Sequence, residues 1–327
     1  MKIDCYGLRE HPFQMTPDAR LYFASSAHSR AYSHLLFGLA QHEGFVIVTG
    51  EVGAGKTTLI ERLCAELSPA GHVVARIMTT QVEAEDLLRL VAVAFGASAA
   101  GSKAEVLRSI VTKIWEGVFE RDLRHVLIVD EAQALPVGAL EELRMLSNVT
   151  EGEHALLQVI LMGQPQLRRT LARPDLDQLR QRILAAYHLG SLTRDETHAY
   201  VRHRMTSVGW TGHPVWKEDA LDLVHHYTDG IPRRINRLCS RALLAGALDR
   251  SAVLTGELVE ATALELEQDL SEVCSTAPME DLPAAPVGAI QDLKDRVADL
   301  EREIARRERV FRRLQELFDD RSVKSRR

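Results

Sequence analysis

Five short runs of apolar residues, rich in β-branched side chains, recur in the first 190 positions, at 45–49, 73–77, 126–129, 156–162 and 185–189. Each has the length of a strand. Between them apolar residues return every three or four positions over 58–67, 84–95, 103–119 and 139–146, which is helical spacing. Continuous apolar strands alternating with amphipathic helices predict a parallel sheet covered on both faces. Beyond about residue 190 the strand pattern stops. Thr193-Arg194-Asp195-Glu196 reads as a capping box that opens a helix, and helical periods follow over 218–227, 231–247 and 255–270. The expectation is an α/β part over 1–190 and a small helical part over 191–270.

The stretch 271–289 holds Pro278, Pro283 and Pro286 among small residues, so it can neither continue a helix nor bury much surface, and it is read as a flexible linker. Over 290–327, Ile290, Leu293, Val297, Leu300, Ile304, Phe311, Leu314 and Phe318 recur at steps of three and four, interrupted by Arg307. That spacing predicts a coiled-coil helix. This segment carries a net charge of +3 and ends in the basic run Lys324-Ser325-Arg326-Arg327, which suits a solvated helix flank or a contact with an anionic surface.

Composition narrows the class without choosing within it. A chain of 327 residues with 46% hydrophobic and 26% charged positions is long enough for one large and one smaller domain, and is neither collagen-like nor wholly disordered. Its formal charge of −6 gives no global attraction to nucleic acid or acidic membranes, so any such contact must be local. Cys5, Cys64, Cys239 and Cys274 form no CxxC pair, which argues against a zinc cluster or disulfide framework and suits reduced thiols. No run approaches the ~18–20 apolar residues of a membrane helix, and the first residues show no signal-peptide core. The expected location is therefore the cytoplasm.

The chemistry is concentrated at the ends of two predicted strands. Gly50-Glu51-Val52-Gly53-Ala54-Gly55-Lys56-Thr57 follows the first strand and precedes a helix, the context in which GxxxxGK[ST] is a phosphate loop. Gly50, Gly53 and Gly55 let the backbone turn tightly so that its N–H groups point at phosphates, and the helix start adds a favourable dipole. Lys56 neutralises the outer phosphates, and Thr57 offers a hydroxyl to Mg2+. The third run ends in Asp130-Glu131, where Asp130 would orient the metal and Glu131 would polarise an attacking water. The competing reading of this pair is a helix cap. The 74-residue separation of Lys56 and Asp130 leaves room for an inserted strand, and the absence of an NKxD motif favours ATP over GTP.

Further strings extend the pattern: Tyr6-Gly7-Leu8, Pro12-Phe13, Thr16-Pro17-Asp18, Gly44-Phe45, Thr49 to Thr58, Asp130-Glu131-Ala132-Gln133, Gly163-Gln164-Pro165, Gln181-Arg182-Ile183 and Gly230-Ile231-Pro232-Arg233-Arg234-Ile235-Asn236. Across about residues 5–270 the chain resembles the AAA+ ATPases of the ExeA/GspA type, with their relatives in pilus-biogenesis and exopolysaccharide loci. The resemblance implies a P-loop AAA+ core, a parallel five-stranded sheet with a small helical lid, followed here by the coiled-coil helix. It implies that Glu51, Val52, Ala54 and Thr58 join the glycines, Lys56 and Thr57 around the nucleotide. Gln164 resembles the sensor-1 residue and Arg233 the sensor-2 arginine. Arg182, with Arg180 as the second choice, stands where such proteins project an arginine into a neighbouring subunit; a surface ion pair is the competing reading. Gln133 is either a relay of nucleotide state or a solvent-facing glutamine, and the segment around Phe13 and Pro17 is expected near the adenine.

The function expected from the resemblance is ATP hydrolysis by a homo-oligomer that drives or regulates assembly of a bacterial secretion, pilus or polysaccharide-export system. Members that act at the cell wall carry a membrane helix and a peptidoglycan-binding domain, and neither pattern is read in this sequence. The coiled coil then predicts docking to an envelope export or membrane-complex protein, or self-association, on the cytosolic face of the inner membrane. Two other classes use the same core: a DNA-binding regulator of transposition, with Arg233, Arg234, Arg237 and the basic tail on phosphates, and a nucleotide-gated signalling scaffold.

Overall fold

The computed structural model describes residues 6–15, 19–41, 43–67, 71–78, 83–151 and 154–275. Two compact units divide the chain, Met1–Leu266 and Glu267–Arg327. Of the second, only the end of one helix is described, so the predicted coiled coil and basic tail lie outside the described residues.

The described elements run α1 Ser26–Gln41, β1 Phe45–Gly50, α2 Lys56–Leu67, β2 His72–Met78, α3 Ala84–Phe95, α4 Lys103–Arg121, β3 Arg124–Asp130 and α5 Val137–Ser147. The two-residue strands β4 Thr150–Glu151 and β5 His154–Ala155 form a small antiparallel pair. β6 Leu157–Gly163, α6 Gln166–Leu171, α7 Asp177–Arg180 and β7 Ile183–Leu189 complete the α/β part. There follow α8 Arg194–Ser207, β8 Val215–Trp216, α9 Glu218–Thr228, α10 Pro232–Leu248, β9 Val253–Leu254 and α11 Gly256–Ser275. Helix α11 continues past Ser271, where the linker was expected to begin. The short strands β8 and β9 pair with each other beyond the point where the strand pattern fades, because two residues are too few to leave a periodic signal.

All five predicted strands form one parallel sheet in the order β2-β3-β6-β1-β7. The 74-residue separation of Lys56 and Asp130 holds β2, α3 and α4, and β6, which follows Asp130 in sequence, lies between β1 and β3. Successive side chains leave a strand on opposite faces, and both faces are covered. Phe45, Ile47, Leu127, Val129, Val159 and Leu161 enter one buried cluster with α3, α4 and α5. Val46, Val48, Val126, Ile128, Ile160 and Met162 enter another with α1 and α2. Each of these side chains is at most 3% exposed, and burying one stabilises the fold by ~1.5–3 kcal/mol. The register sets Thr49 beside Gly163 and Val129 beside Leu161, so that β1, β3 and β6 end level with one another.

Helix α1 carries no clear apolar period. Its buried face is His28, Ala31, Tyr32, Leu35, Gly38 and Leu39, a helical stripe whose members include a histidine and a glycine. α8 begins as expected, with Thr193 Oγ1 accepting the Glu196 N–H at 3.2 Å and the Glu196 carboxylate accepting the Thr193 N–H at 3.1 Å. The N-terminal segment 6–15 packs with these helices rather than with the sheet. Tyr6 and Phe13 belong to the cluster of Tyr200, Trp216, Leu238 and Leu243. The buried Arg204 guanidinium donates to the carbonyls of Pro12 at 2.7 Å and Gln14 at 2.9 Å.

Candidate functional site

The C-terminal end of a parallel sheet is where loops from neighbouring strands converge. Here the turn after β1, the acidic pair after β3 and the loop after β6 meet at that end. A cleft of about 340 Å³ opens there, lined by Val52, Gly53, Gly55, Lys56, Thr57, Thr58 and Glu131. Met15, Tyr22, Phe23, Tyr200, Asn236 and Arg233 also line it.

The phosphate loop is held in its turn by backbone conformations that side chains disfavour. Gly53 has φ +83° and Gly55 φ +97°. A Cβ on Gly53 would lie 2.3 Å from the Cβ of Arg233, and one on Gly55 would lie 2.5 Å from Nε2 of His28. Lys56, 6% exposed, donates from Nζ to the carbonyls of Gly50 at 2.7 Å and Glu51 at 3.0 Å, which uses two of its three N–H donors. Burial pulls its ammonium below the usual lysine range, opposed by the carboxylates of Glu131, Asp130 and Glu51. Glycine backbone, an ammonium and a helix N-terminus make a donor set that fits a polyphosphate.

Asp130 is 2% exposed, and its carboxylate is paired with Arg76 of β2 at 3.2 Å. Its Oδ1 also accepts the Glu131 N–H at 3.0 Å. Glu131 takes a left-handed backbone conformation, φ +54° and ψ +35°, uncommon for a residue with a side chain and frequent at functional positions. Two amides hold its carboxylate: Gln133 Nε2 donates to Oε2 at 2.5 Å and Gln164 Nε2 to the same oxygen at 3.2 Å. Gln133 Oε1 in turn accepts the Gln164 main-chain N–H at 2.9 Å, which closes a ring of three residues. A buried carboxylate at Asp130 and the hydroxyl residue Thr57 are hard oxygen donors of the kind Mg2+ takes alongside phosphate oxygens, so the side chains present fit that ion.

A model of the AAA domain matches residues 39–171. General secretion pathway protein A of Aeromonas hydrophila is 40% identical over 243 residues, which cover 73% of this chain. This chain is an AAA-domain relative of general secretion pathway protein A. The match spans 44% of that protein, less than half its length.

Solved AAA-type structures share the fold at low identity. The Aeropyrum pernix ORC2 protein, in ADPNP-ADP complexes, superposes with a TM-score of 0.59 at 18% identity, covering 78% of this chain and 71% of that one. The A. pernix ORC1 protein in complex with DNA gives 0.59 at 18%, covering 83% and 73%. Cdc6p of Pyrobaculum aerophilum gives 0.58 at 17%, covering 76% and 71%. At such identities the likeness carries the fold alone.

Within the AAA domain, Gly53, Gly55, Lys56, Thr57, Thr58 and Glu131 line one cleft together with Val52 and Arg233. Asp130 and Gln164 adjoin it through Glu131. Glu51 contributes a carbonyl to Lys56. Ala54 is buried, and Gly50 ends β1 beneath the loop. Arg182 stands elsewhere. Its carbonyl accepts the Phe45 N–H at 2.9 Å, at the start of β1, while the phosphate loop leaves the other end of that strand, ~17 Å away. The Arg182 guanidinium lies 3.5 Å from the Ser147 carbonyl and is exposed, whereas Arg180 is ion-paired with Asp177. Phe13, at 2% exposed, packs edge-on against Trp216 inside the helical cluster. The neighbouring Gln14 and Met15 line the cleft instead, and Pro17 lies outside the described residues. Arg76, His28 and Arg204 left no local signal in the sequence, because each acts on a residue far away along the chain. The AAA domain holds no group of three or more metal-ligating His, Cys, Asp or Glu among the described residues, and none of its described helices is long and apolar enough to cross a membrane.

Proposed function

We propose that the chain binds Mg-ATP in this cleft and hydrolyses it. The observation that carries the reading is that Glu131, held by the amides of Gln133 and Gln164, lines the same cleft as Lys56. It supports a carboxylate fixed in place for a water that faces the outer phosphate. In this reading the loop N–H groups and Lys56 hold the phosphates, while Thr57 and Asp130 hold magnesium. When bound, the ion supplies neutralisation of charge spread over the phosphate oxygens. Glu131 polarises the water, and Gln164 keeps the carboxylate turned toward it. Arg233 approaches from the start of α10, which meets the phosphate loop at Gly53. The adenine side is formed by Met15, Tyr22, Phe23 and Tyr200.

Arg182 serves a neighbouring subunit in this reading. Its distance from its own phosphate loop suits a trans contact in a homo-oligomer. The kinship with general secretion pathway protein A supports work on a secretion or related export complex, with the ATPase on the cytoplasmic side of the inner membrane and residues 290–327 as the docking element. The deciding experiment is the ATPase rate and particle mass of the purified chain with Mg-ATP, with and without duplex DNA. Nucleotide-dependent assembly and turnover indifferent to DNA are expected. DNA-stimulated turnover would move the protein to the class of DNA-directed regulators, and a lack of nucleotide binding would remove the site.

A further inference from the structure

The first turn of α1 ties the phosphate loop to the helical part through three side chains. A helix start leaves N–H groups without intrahelical partners. Ser25 caps this one: its Oγ accepts the His28 N–H at 3.2 Å, and Ser25 is 1% exposed. With that oxygen engaged as an acceptor, its hydroxyl proton is available to Nδ1 of the His28 ring at 2.7 Å. The ring proton then sits on Nε2. Nε2 faces the phosphate loop, where the ring meets the Ala54 backbone and fills the space that a Cβ on Gly55 would need. Tyr22 closes edge-on over the ring at 6.2 Å, and both residues line the nucleotide cleft.

The second tie comes from α8. Glu196 accepts the Thr193 N–H of its own capping box at one carboxylate oxygen, Oε2. The other oxygen, Oε1, accepts the Ser26 N–H at 2.7 Å, at the first residue of α1. One carboxylate therefore sits between two helix N-termini, where the positive ends of both dipoles favour it. Ser26 and Glu196 are 170 positions apart.

We infer that His28 is a positioning residue that seats the Ala54–Gly55 turn of the phosphate loop, and that Glu196 couples this seat to the helical part by capping α1. The inference rests on the nucleotide-site reading above. A preformed loop binds ATP and ADP more tightly by the same factor, because both present their β-phosphate to it, while the chemistry at Glu131 is untouched. Loss of one such hydrogen bond corresponds to about a tenfold loss of affinity.

The test uses the full chain. Dissociation constants of fluorescent ATP and ADP analogues, kcat and the thermal midpoint are measured for the unaltered protein and for Lys56→Ala, His28→Ala, His28→Gln, His28→Phe, Glu196→Ala and the His28→Ala/Glu196→Ala pair. His28→Ala and His28→Phe are expected to weaken both nucleotides about tenfold with kcat within twofold. His28→Gln, which keeps an N–H donor, recovers most of the affinity. Glu196→Ala weakens binding by itself but adds little to His28→Ala. Equal affinities for His28→Gln and His28→Phe would overturn the seating role, and this pair decides it even where the alanine variant fails to fold. Additive effects of His28 and Glu196 would overturn the coupling. An unaltered chain that binds no ATP, or Lys56→Ala binding as tightly as the unaltered chain, would instead remove the site reading on which this inference rests.

Discussion

The main-chain N–H of Arg233 donates to the carbonyl of Gly53 at 3.2 Å. The helical part thus meets the phosphate loop backbone to backbone, and the Cβ of Arg233 occupies the space where Gly53 has no side chain. Gly53→Ala forces either strain at φ +83° or withdrawal of α10. Strain of ~1–3 kcal/mol corresponds to a loss of ATP affinity of ~10- to 100-fold. Nucleotide titration of the variant checks this; affinity within twofold of the unaltered chain would mean that the two segments separate without cost to the site.

Lys56→Ala removes the buried ammonium from the loop. Charge-assisted hydrogen bonds contribute ~1.5–3 kcal/mol each, so ATP binding should weaken by at least ~10- to 100-fold. Titration with a fluorescent ATP analogue reads the change, and undiminished affinity would put the triphosphate elsewhere.

Glu131→Gln and Gln164→Ala should separate binding from turnover. The first keeps a group of the same shape but removes the charge that polarises water, so kcat falls ~10²- to 10⁴-fold while ATP stays bound. The second frees one of the two tethers on the carboxylate and should lower kcat by a smaller factor with little change in affinity. Single-turnover hydrolysis with a binding control measures both. A near-normal rate for Glu131→Gln would assign the water to another group.

Arg182→Ala should abolish turnover without weakening ATP binding, and activity should return when these subunits are mixed with Lys56→Ala subunits. Each mutant supplies the half-site that the other lacks. Hydrolysis across mixing ratios is the measurement; a flat, inactive series would count against a trans arginine, and an active Arg182→Ala would leave Arg182 as a surface residue.

His125 sets a pH dependence of stability. It is 5% exposed, packed edge-on to Phe95, and burial pushes its pKa down to about 4, with Lys113 adding in the same direction. The unfolded chain takes up this proton near pH 6.5, the folded one not until about 4. Stability present above pH 6.5 is therefore lost as the pH falls toward 4, by up to ~3 kcal/mol from this residue. His28 and His11, also depressed chiefly by burial, add slope of the same sign. Denaturant unfolding at pH 7 and pH 4.5 should show a smaller drop for His125→Gln than for the unaltered chain; identical drops would assign the slope to other groups.

Much of the α/β part was legible because its signals are local. Buried parallel strands such as 126–129 are uninterrupted apolar runs, and the phosphate loop packs its glycines, lysine and threonine into eight consecutive positions. The site residues that escaped notice act over long separations. Arg204 clasps Pro12 from 192 positions away, Glu196 caps a helix 170 positions away, and Arg76 reaches Asp130 from a neighbouring strand. Nothing near Arg204 or Arg76 in the chain distinguishes it from a surface charge, and the capping box that marks Glu196 points only to its own helix. Helix α1 escaped for another reason: its buried stripe uses His28, Tyr32 and Gly38, whose burial depends on what the sheet and the phosphate loop present to them. Gln133 carried two open readings, and the hydrogen bonds to Glu131 and Gln164 set it in the ring around the acidic pair.

The stitching of segment 6–15 into the helices has a bearing on how the protein is made. Tyr6 donates to the Ser251 carbonyl at 3.0 Å and Arg9 to that of Val208 at 3.0 Å, so residues 6–15 find their places only after translation has passed residue 250. Closing so long a loop is a slow step. That segment must wait, uncovered, while the sheet assembles behind it, and the helices that follow the sheet finish their own core by recruiting Phe13 from ahead of the sheet.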